Sequence, residues 1–544
     1  MKSDASTWGF PKASPDFGML DLSSITPGRS GQKPSALSRH QSSFCEVKPT
    51  PQQGPKSTDP DIVKPIVAQA ADYARLHMSA RPFQLFSIGL LIFGSQFCVA
   101  IFDRGGVRFS PIHDMWTDTG IFIRVVRSLT CHLSSVELGQ DPSVQILPDE
   151  DRRQWIKDTA ELVYKVSESF PTYAITTGSQ DSPCWYTIGF PLWVSLSLLG
   201  RGTSIWLVQE KGTDNTFVLK NAWRSAGRSP ESNIYRSVKG KHPALAEFHD
   251  GGDVVFPGHP GRYITVDNLR GISPSSEGDV VLHRLLLHSI GRPLWEYSSE
   301  KELLQGIRAA LSAHRFLCDQ GILHRDISPG NIMLSSAGTQ PQEGAEGFLM
   351  DLEFAHIKHS SLDITTHTAV PPVRAPGGRM TAPTQRSHTS FEDVKRGATM
   401  TGTAQFMARE ILDAILGNEQ IEREPRHDVE SFVYVLGYSV MRKSVLGSRN
   451  FDQHTRERLH RSFYSVFGRM RLDDILKERP LGLLEIPKLR QHVSEPMSTL
   501  ITKLSMLLIR AMAIHLDPLL DETVVEITHE VVLSLLDMTI AQMN

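Results

Sequence analysis

The sequence predicts an α+β fold. After Trp185 the strand-like runs VSLSLLG (194–200), SIWLVQE (204–210) and TFVLKNAWR (216–224) follow one another through short turns, and a helical half begins near residue 297. Strands first and helices afterwards is the order of a segregated α+β unit rather than of alternating βαβ units. The chain has 544 residues, more than one core can organise, so two or more structured units and a tail are expected.

Each segment has its own reason. Residues 1–64 are rich in Ser, Pro, Gly, Lys and Gln with few clustered apolar side chains, and read as a disordered tail. From Pro65 the pattern turns globular: DIVKPIVAQAADYARLHM (61–78) reads as helix. FSIGLLIFGSQFCVAIF (86–102) reads as two buried strands around Gly94-Ser95-Gln96, with Asp103-Arg104-Gly105-Gly106 turning into a third. That run is too short, and too polar at Ser95 and Gln96, for a membrane span. FIRVVRSLTCHL (122–133) and WIKDTAELVYKV (155–166) complete an accessory region, 65–185, that shows no catalytic chemistry. Further on, Ser299 and Glu302 form a capping box. Leu304, Ile307, Leu311, His314 and Cys318 then recur at helical spacing until Gly321, with His314 read as a packed core histidine.

Composition excludes several functions. Lys and Arg number 57 against 60 Asp and Glu, a net charge of −3, which does not suit a protein that coats nucleic acid. Apolar residues make up 40%, enough for a large core and too many for a disordered or collagen-like chain. The five cysteines are scattered without a C-x-x-C pair, so a reducing compartment, cytoplasmic or nuclear, is expected. The N-terminus lacks the apolar run of a secretory signal.

The chemistry lies in two short stretches. ILHRDISPGNIMLS (322–335) carries His324-Arg325-Asp326, four intervening residues and Asn331, a pattern that resembles the H-R-D-x-x-x-x-N catalytic loop of protein kinases. A carboxylate there orients or accepts the proton of an attacking hydroxyl, and a carboxamide further along the loop reaches magnesium on the nucleotide phosphates. GFLMDLEFA (347–355) then places Asp351 where kinases hold magnesium. Leu352 and Glu353 stand where Phe and Gly usually follow. Glu353 removes the glycine's freedom and adds a carboxylate, which reads equally as facing metal or solvent.

Upstream, LLGRGTSIWLV supplies Gly200 and Gly202, with Ile205 in the place of a third glycine, and Lys220 ends an apolar run at the spacing of a phosphate-pairing lysine. Glu231 in SPESNIYRSV is its expected acidic partner. Downstream, Ala408-Arg409-Glu410 is close to an A-P-E motif, and Asp428 opens an apolar helix.

This ordered set resembles the eukaryotic-type protein kinases and, more closely, the fungal-type protein kinase family, over roughly residues 70–445. The residues that carry it are DRGG (103–106), GRGTSIW, VLKNAW, GILHRDISPGNIML, MDLEFA, GTAQFMAREIL and HDVESFVYVLG. The resemblance implies a bilobal fold, with a β-rich lobe at 186–287 and a helical lobe at 288–544 that contains an activation segment at 351–410. It implies ATP and Mg2+ as cofactors and a protein substrate bearing Ser or Thr hydroxyls. Asp326 would be the proton-orienting residue, with Asn331 and Asp351 on the metal. Lys220 would stand on the α/β-phosphates, held by Glu231, with the backbone around Gly200 and Gly202 over the nucleotide. The connector near Arg284–Leu287 would offer its backbone, at Leu286, to adenine, and Asp428 would bond the catalytic-loop backbone. No nucleic-acid or membrane partner is implied, and the oligomeric state is not legible.

Two departures keep other readings open. Ser328 replaces the lysine that serine/threonine kinases direct at the transferred phosphate, and Asp351-x-Glu353 is similar to the acidic motif of choline and aminoglycoside kinases. Small-molecule phosphotransfer and a non-catalytic scaffold are the alternatives. The Ser/Thr-rich stretch between Ala355 and Gly402 is expected to be mobile or regulatory, with a phosphate on Thr399 or Thr401 as a partner for Arg325.

Overall fold

A computed structural model of the chain describes residues 15–20, 41–56, 63–158, 166, 170–176, 184–272, 279–336, 342–357, 404–419, 421–450, 452–469, 471–482, 493–516 and 526–543. It is a mixed α+β structure with two compact units, one of residues 1–230 and 249–286, the other of 231–248 and 287–544.

In the first unit, strands β1 (Phe17–Leu20), β2 (Gln41–Lys48), β3 (Ser87–Phe93), β4 (Gln96–Asp103) and β5 (Gly106–Phe109) form a sheet in that order. β6 (His113–Asp114) is paired to β4. The three strands expected around residues 86–109 are thus present. β2 was expected within the tail; it pairs parallel to β3 and buries Gln41 to Glu46, because Phe44 and Cys45 find apolar partners beneath α1 and β3. Helix α1 (Pro65–Ala80) starts with Pro65, whose missing N–H is no loss in a first turn, and lays Ile66, Ala70, Tyr73 and Ala74 on Phe44, Phe93 and Phe102. Helices α2 (Thr119–Arg127) and α3 (Asp149–Asp158) follow.

A second sheet of this unit contains β7 (Val144–Ile146), β8 (Tyr173–Thr176), β9 (Cys184–Thr187), β10 (Trp193–Val194), β11 (Ser204–Glu210), β12 (Thr216–Ser225), β13 (Phe248–Asp253) and β14 (Val280–Leu287). Its order is β13-β14-β12-β11-β9-β8-β7, with β10 on β11. The expected boundary at residue 185 therefore falls inside a sheet: strands from both sides of it share a core of Tyr173, Trp185, Trp206, Phe217, Leu219 and Leu286. The run 194–200 leaves the sheet after Val194, because its carbonyls turn to a side-chain donor described below.

Arg284, expected in a connector, is instead a buried anchor in β14. Its guanidinium donates to Asp141 Oδ2 (2.5 Å), Ser143 Oγ (2.7 Å) and Asn221 Oδ1 (3.0 Å), with side chains of the ion pair 4% and 0% exposed. Removing one member strands the other charge in the core. Asp141→Ala is expected to destabilise this unit by roughly 3–5 kcal/mol. Urea denaturation followed by the fluorescence of buried Trp185 and Trp206 measures it, and an unchanged midpoint would contradict the assignment.

The second unit begins with α4 (Glu231–Ser237), whose Tyr235 stacks on Phe248 with centroids 5.5 Å apart. Helix α5 (Glu300–Cys318) is capped as expected, Ser299 Oγ accepting the Glu302 N–H at 3.2 Å, and buries Leu304, Ile307, Leu311 and His314. Beside it lie the sheet β15 (Gly291–Pro293), β17 (Ile332–Ser335) and β18 (Gly347–Leu349), in that order, and the pair β16 (Ile322–Leu323) with β19 (His356–Ile357). Gly347 lets β18 meet α5 at Gly306: a Cβ on it would lie 2.7 Å from the Gly306 Cα. Helices α6 (Arg409–Gly417), α7 (Pro425–Leu446), α8 (Gln453–Phe467), α9 (Leu472–Gly482), α10 (Glu495–Leu516) and α11 (His529–Ala541) complete it. Among the described residues no helix is long and apolar enough to cross a membrane.

Candidate active site

In the second unit the loop expected to be catalytic runs from β16 to β17, two short strands too small to fix it alone. Side chains pin it instead. Asn331 Nδ2 donates to the Asp326 carbonyl (2.8 Å) and to Asp326 Oδ2 (3.2 Å), which holds the carboxylate and leaves the Asn331 Oδ1 as an acceptor for a cation. His324 Nε2 donates to the Met350 carbonyl (3.0 Å), and its Nδ1 accepts from the Asp326 N–H (3.3 Å). Burial lowers the His324 pKa, in keeping with that neutral tautomer.

Arg325 and Asp351 both have left-handed backbone, φ 68° and 67°. Such a conformation costs a non-glycine residue roughly 1–3 kcal/mol and persists only where surroundings impose it. They do so here. The Arg325 N–H donates to Asp428 Oδ2 (2.8 Å) and its carbonyl accepts from Arg423 Nη1 (2.8 Å). On either side of Asp351, the Met350 N–H donates to the Asn331 carbonyl (2.9 Å) and the Leu352 N–H to Glu231 Oε1 (3.0 Å). Asp428 bonds the catalytic-loop backbone as expected, from the first turn of α7. Burial by itself would raise the Asp428 carboxyl, but the hydrogen bond and charge of His314, with the Arg325 N–H, bring it below its ordinary value.

Carboxylate oxygens of Glu231, Asp351 and Glu353 lie within 4.8 Å of one another. Three like charges at that spacing repel unless cations or donors compensate them. Their hard oxygens, with the Asn331 carboxamide, suit Mg2+ rather than a soft metal. Glu353 thus sits beside Asp351, half-buried. Glu410 accepts from Arg426 Nη1 (2.7 Å) and His427 Nε2 (3.0 Å). Burial alone would raise its carboxyl, but these two donors hold it below the usual range.

In the first unit, residues 195–203 bridge β10 and β11 as a loop, closed by Ser195 N–H to the Thr203 carbonyl (2.8 Å) and Trp223 N–H to the Arg201 carbonyl (2.7 Å). Gly200 and Gly202 have φ 81° and 47°. Gly202 is required twice over, since a Cβ there would lie 2.1 Å from the Arg104 guanidinium carbon. That buried guanidinium donates Nη1–H to the carbonyls of Ser197 (2.7 Å) and Leu198 (3.1 Å). Burial lowers the Arg104 pKa, partly offset by Asp103, to about 10, so it remains a cation at neutral pH. Asp103 is itself paired with Arg270 (2.6 Å). Lys220 is not at a strand end: it lies buried in mid-β12, opposite Ile205 of β11, so both side chains share one face. Leu286 is in the core of β14, which leaves only its backbone for a ligand; the division between units falls after it, at 286/287.

A family model described as fungal protein kinase matches residues 32–263 and 269–440. The chain belongs to the fungal protein kinase family. No curated protein matches it. Membership places this fungal protein kinase among the phosphotransferases, and the match begins at residue 32, so β2 lies within the part of the chain that the family model matches.

The structure of this family member gathers Glu231, Asp326, Asn331 and Asp351 in the second unit and Gly200, Gly202 and Lys220 in the first. Thr399 and Thr401, with most of the expected activation segment, lie outside the described residues. Arg104 was not expected as a site residue; its signal was the DRGG motif, read as a turn and as part of the family resemblance, with no role given to the arginine. His529, taken up below, had no signal, being 215 positions from its partner His314.

Proposed function

We propose that this fungal protein kinase transfers the γ-phosphate of ATP to Ser or Thr hydroxyls of proteins, in a bilobal arrangement in which the first unit holds the nucleotide and the second the acceptor. The observation that carries the reading is the pinned Asp326: a buried carboxylate, fixed by Asn331, on a strained loop that Asp428 holds. Asp326 orients the acceptor hydroxyl. The hydroxyl oxygen bonds the γ-phosphorus, the bond to the bridging oxygen of ADP breaks, and the hydroxyl proton passes to the Asp326 carboxylate. Lys220 braces the α/β-phosphates, and the Gly200–Gly202 loop covers them with its backbone. Asn331 and Asp351 would hold Mg2+, which supplies charge neutralisation on the phosphates. Positioning and preorganised charge do most of the work. An intracellular setting belongs to the same proposal, supported by five cysteines of which none is paired.

One observation favours a second reading. The Glu353 carboxylate beside Asp351 fits the acidic motif of small-molecule kinases. Labelled ATP offered with proteins and amino-alcohols together separates the two. Acid hydrolysis of labelled protein is expected to release phosphoserine and phosphothreonine, and label found only in the amino-alcohol would overturn the proposal.

A further inference from the structure

Four polar groups join the catalytic loop to the C-terminal helix through the interior of the second unit. The Arg325 N–H donates to Asp428 Oδ2 at 2.8 Å, and His314 Nε2 donates to the same oxygen at 3.0 Å. His314 Nδ1 then lies 2.8 Å from Nε2 of His529, the first residue of α11. Asp428, His314 and His529 are all at least nine-tenths buried, and each comes from a different helix, α7, α5 and α11. At the surface α11 is tied to α5 by Arg308 with Asp537 (2.8 Å) and Lys301 with the Met543 carbonyl (3.0 Å).

The protons follow from the chemistry of the chain. A carboxylate only accepts, so His314 Nε2 carries hydrogen. Burial would lower the His314 pKa, but the hydrogen bond to Asp428, with Cys318 and the Asp428 charge, brings it up to about 10. Burial and the His314 charge bring His529 down to about 4. The charged and titratable groups facing His314 are Asp428, Cys318, His529 and His324, and those facing His529 are His314, Glu530, Arg315 and Asp428. At neutral pH His314 is therefore an imidazolium donating both ways, to Asp428 and to neutral His529. The raised His314 contributes stability in full below its ordinary 6.5, lost as pH climbs through about 10. His529, lowered, subtracts stability as pH falls from 6.5 to about 4.

Cys318 invites a metal reading with the two histidines, and its geometry argues against one. Its Sγ is 3.8 Å from His314 Nδ1 and 3.7 Å from Nε2, hence over the ring rather than ahead of a nitrogen lone pair. A structural zinc also wants four ligands, and among the described residues this group has three.

We propose that His529 is a positioning residue for phosphoryl transfer, acting through His314 and Asp428 to fix the Arg325 peptide and, with it, Asp326. This rests on the function proposed above. It gives α11 a role: the helix completes the support of the catalytic loop.

The test uses the full chain as wild type, His529→Phe, His529→Gln and Arg308→Ala, and reads amide hydrogen exchange over the catalytic loop together with kcat and the KM for ATP. His529→Phe leaves the His314 Nδ1–H without an acceptor, and is expected to speed exchange at the loop about tenfold and lower kcat about as much, with KM for ATP within about twofold. His529→Gln restores an acceptor oxygen and is expected within about twofold of wild type in both. Arg308→Ala loosens the surface tie alone and is expected to leave both unchanged. Wild-type exchange in His529→Phe would overturn the proposal. So would an Arg308→Ala variant that matches it, or one equivalent of zinc bound by wild type and lost with Cys318→Ser. His529→Leu repeats the test should the phenylalanine variant not fold. If wild type transfers no phosphate, the proposed function has failed, and the exchange arm alone still decides whether His529 positions the loop.

Discussion

Asp326→Asn is expected to lower kcat by roughly 10²- to 10⁴-fold, the range for loss of a positioned proton acceptor, with ATP affinity and fold kept. The reason for the separation is local. Asp326 is buried and its Oδ2 accepts from Asn331 Nδ2 at 3.2 Å. An asparagine has the same shape and can turn its amide oxygen to the same donor, so the loop keeps its bond. What it lacks is a carboxylate to hold and take the hydroxyl proton. Thermal unfolding should therefore move by no more than about 2–4 °C while single-turnover transfer collapses. Loss of folding together with activity would mean that Asp326 is structural first.

Arg104→Ala is expected to raise the KM for ATP by roughly ten- to a hundredfold, with kcat at saturating ATP much less affected. Two charge-assisted hydrogen bonds to Ser197 and Leu198 are lost, each worth roughly 1.5–3 kcal/mol when the donor is charged and buried. The loop they hold is the one proposed to cover the phosphates. Arg104→Lys should not rescue, because a compact ammonium cannot reproduce the planar fork that fills the space above Gly202. Nucleotide titration measures the affinity directly. An unchanged value would mean that the glycine loop keeps its shape without Arg104, or does not meet the nucleotide.

Comparing these two residues shows what the sequence made legible. Asp326 stands in a contiguous motif whose spacing is set by one loop, so its neighbours in sequence are its neighbours in space. Strands β3, β4 and β5 and the capped helix α5 were readable for the same reason, each depending on local periodicity or a local motif, whereas the backbone role of Asp428, 103 positions from Arg325, came from the family resemblance. Arg104 acts on carbonyls more than 90 positions away, and nothing in a run of residues announces such a contact. β2 was hidden because an eight-residue strand was averaged into a Ser- and Pro-rich stretch. Arg284 looked like part of a connector because it sits in a leucine run, and only the fold brings Asp141 to it. Lys220 read as a strand end because polar Asn221 follows, yet Asn221 is itself buried against Arg284 and the strand continues to Ser225.

The most direct measurement is the stoichiometry of the reaction: full-length protein with labelled Mg2+-ATP and a Ser/Thr-bearing protein acceptor, scored at once for ADP formed and phosphate transferred. The expected result is one ADP for each phosphoserine or phosphothreonine, abolished by Asp326→Asn. Nucleotide bound without ADP, or ADP released without phosphoprotein, would contradict it.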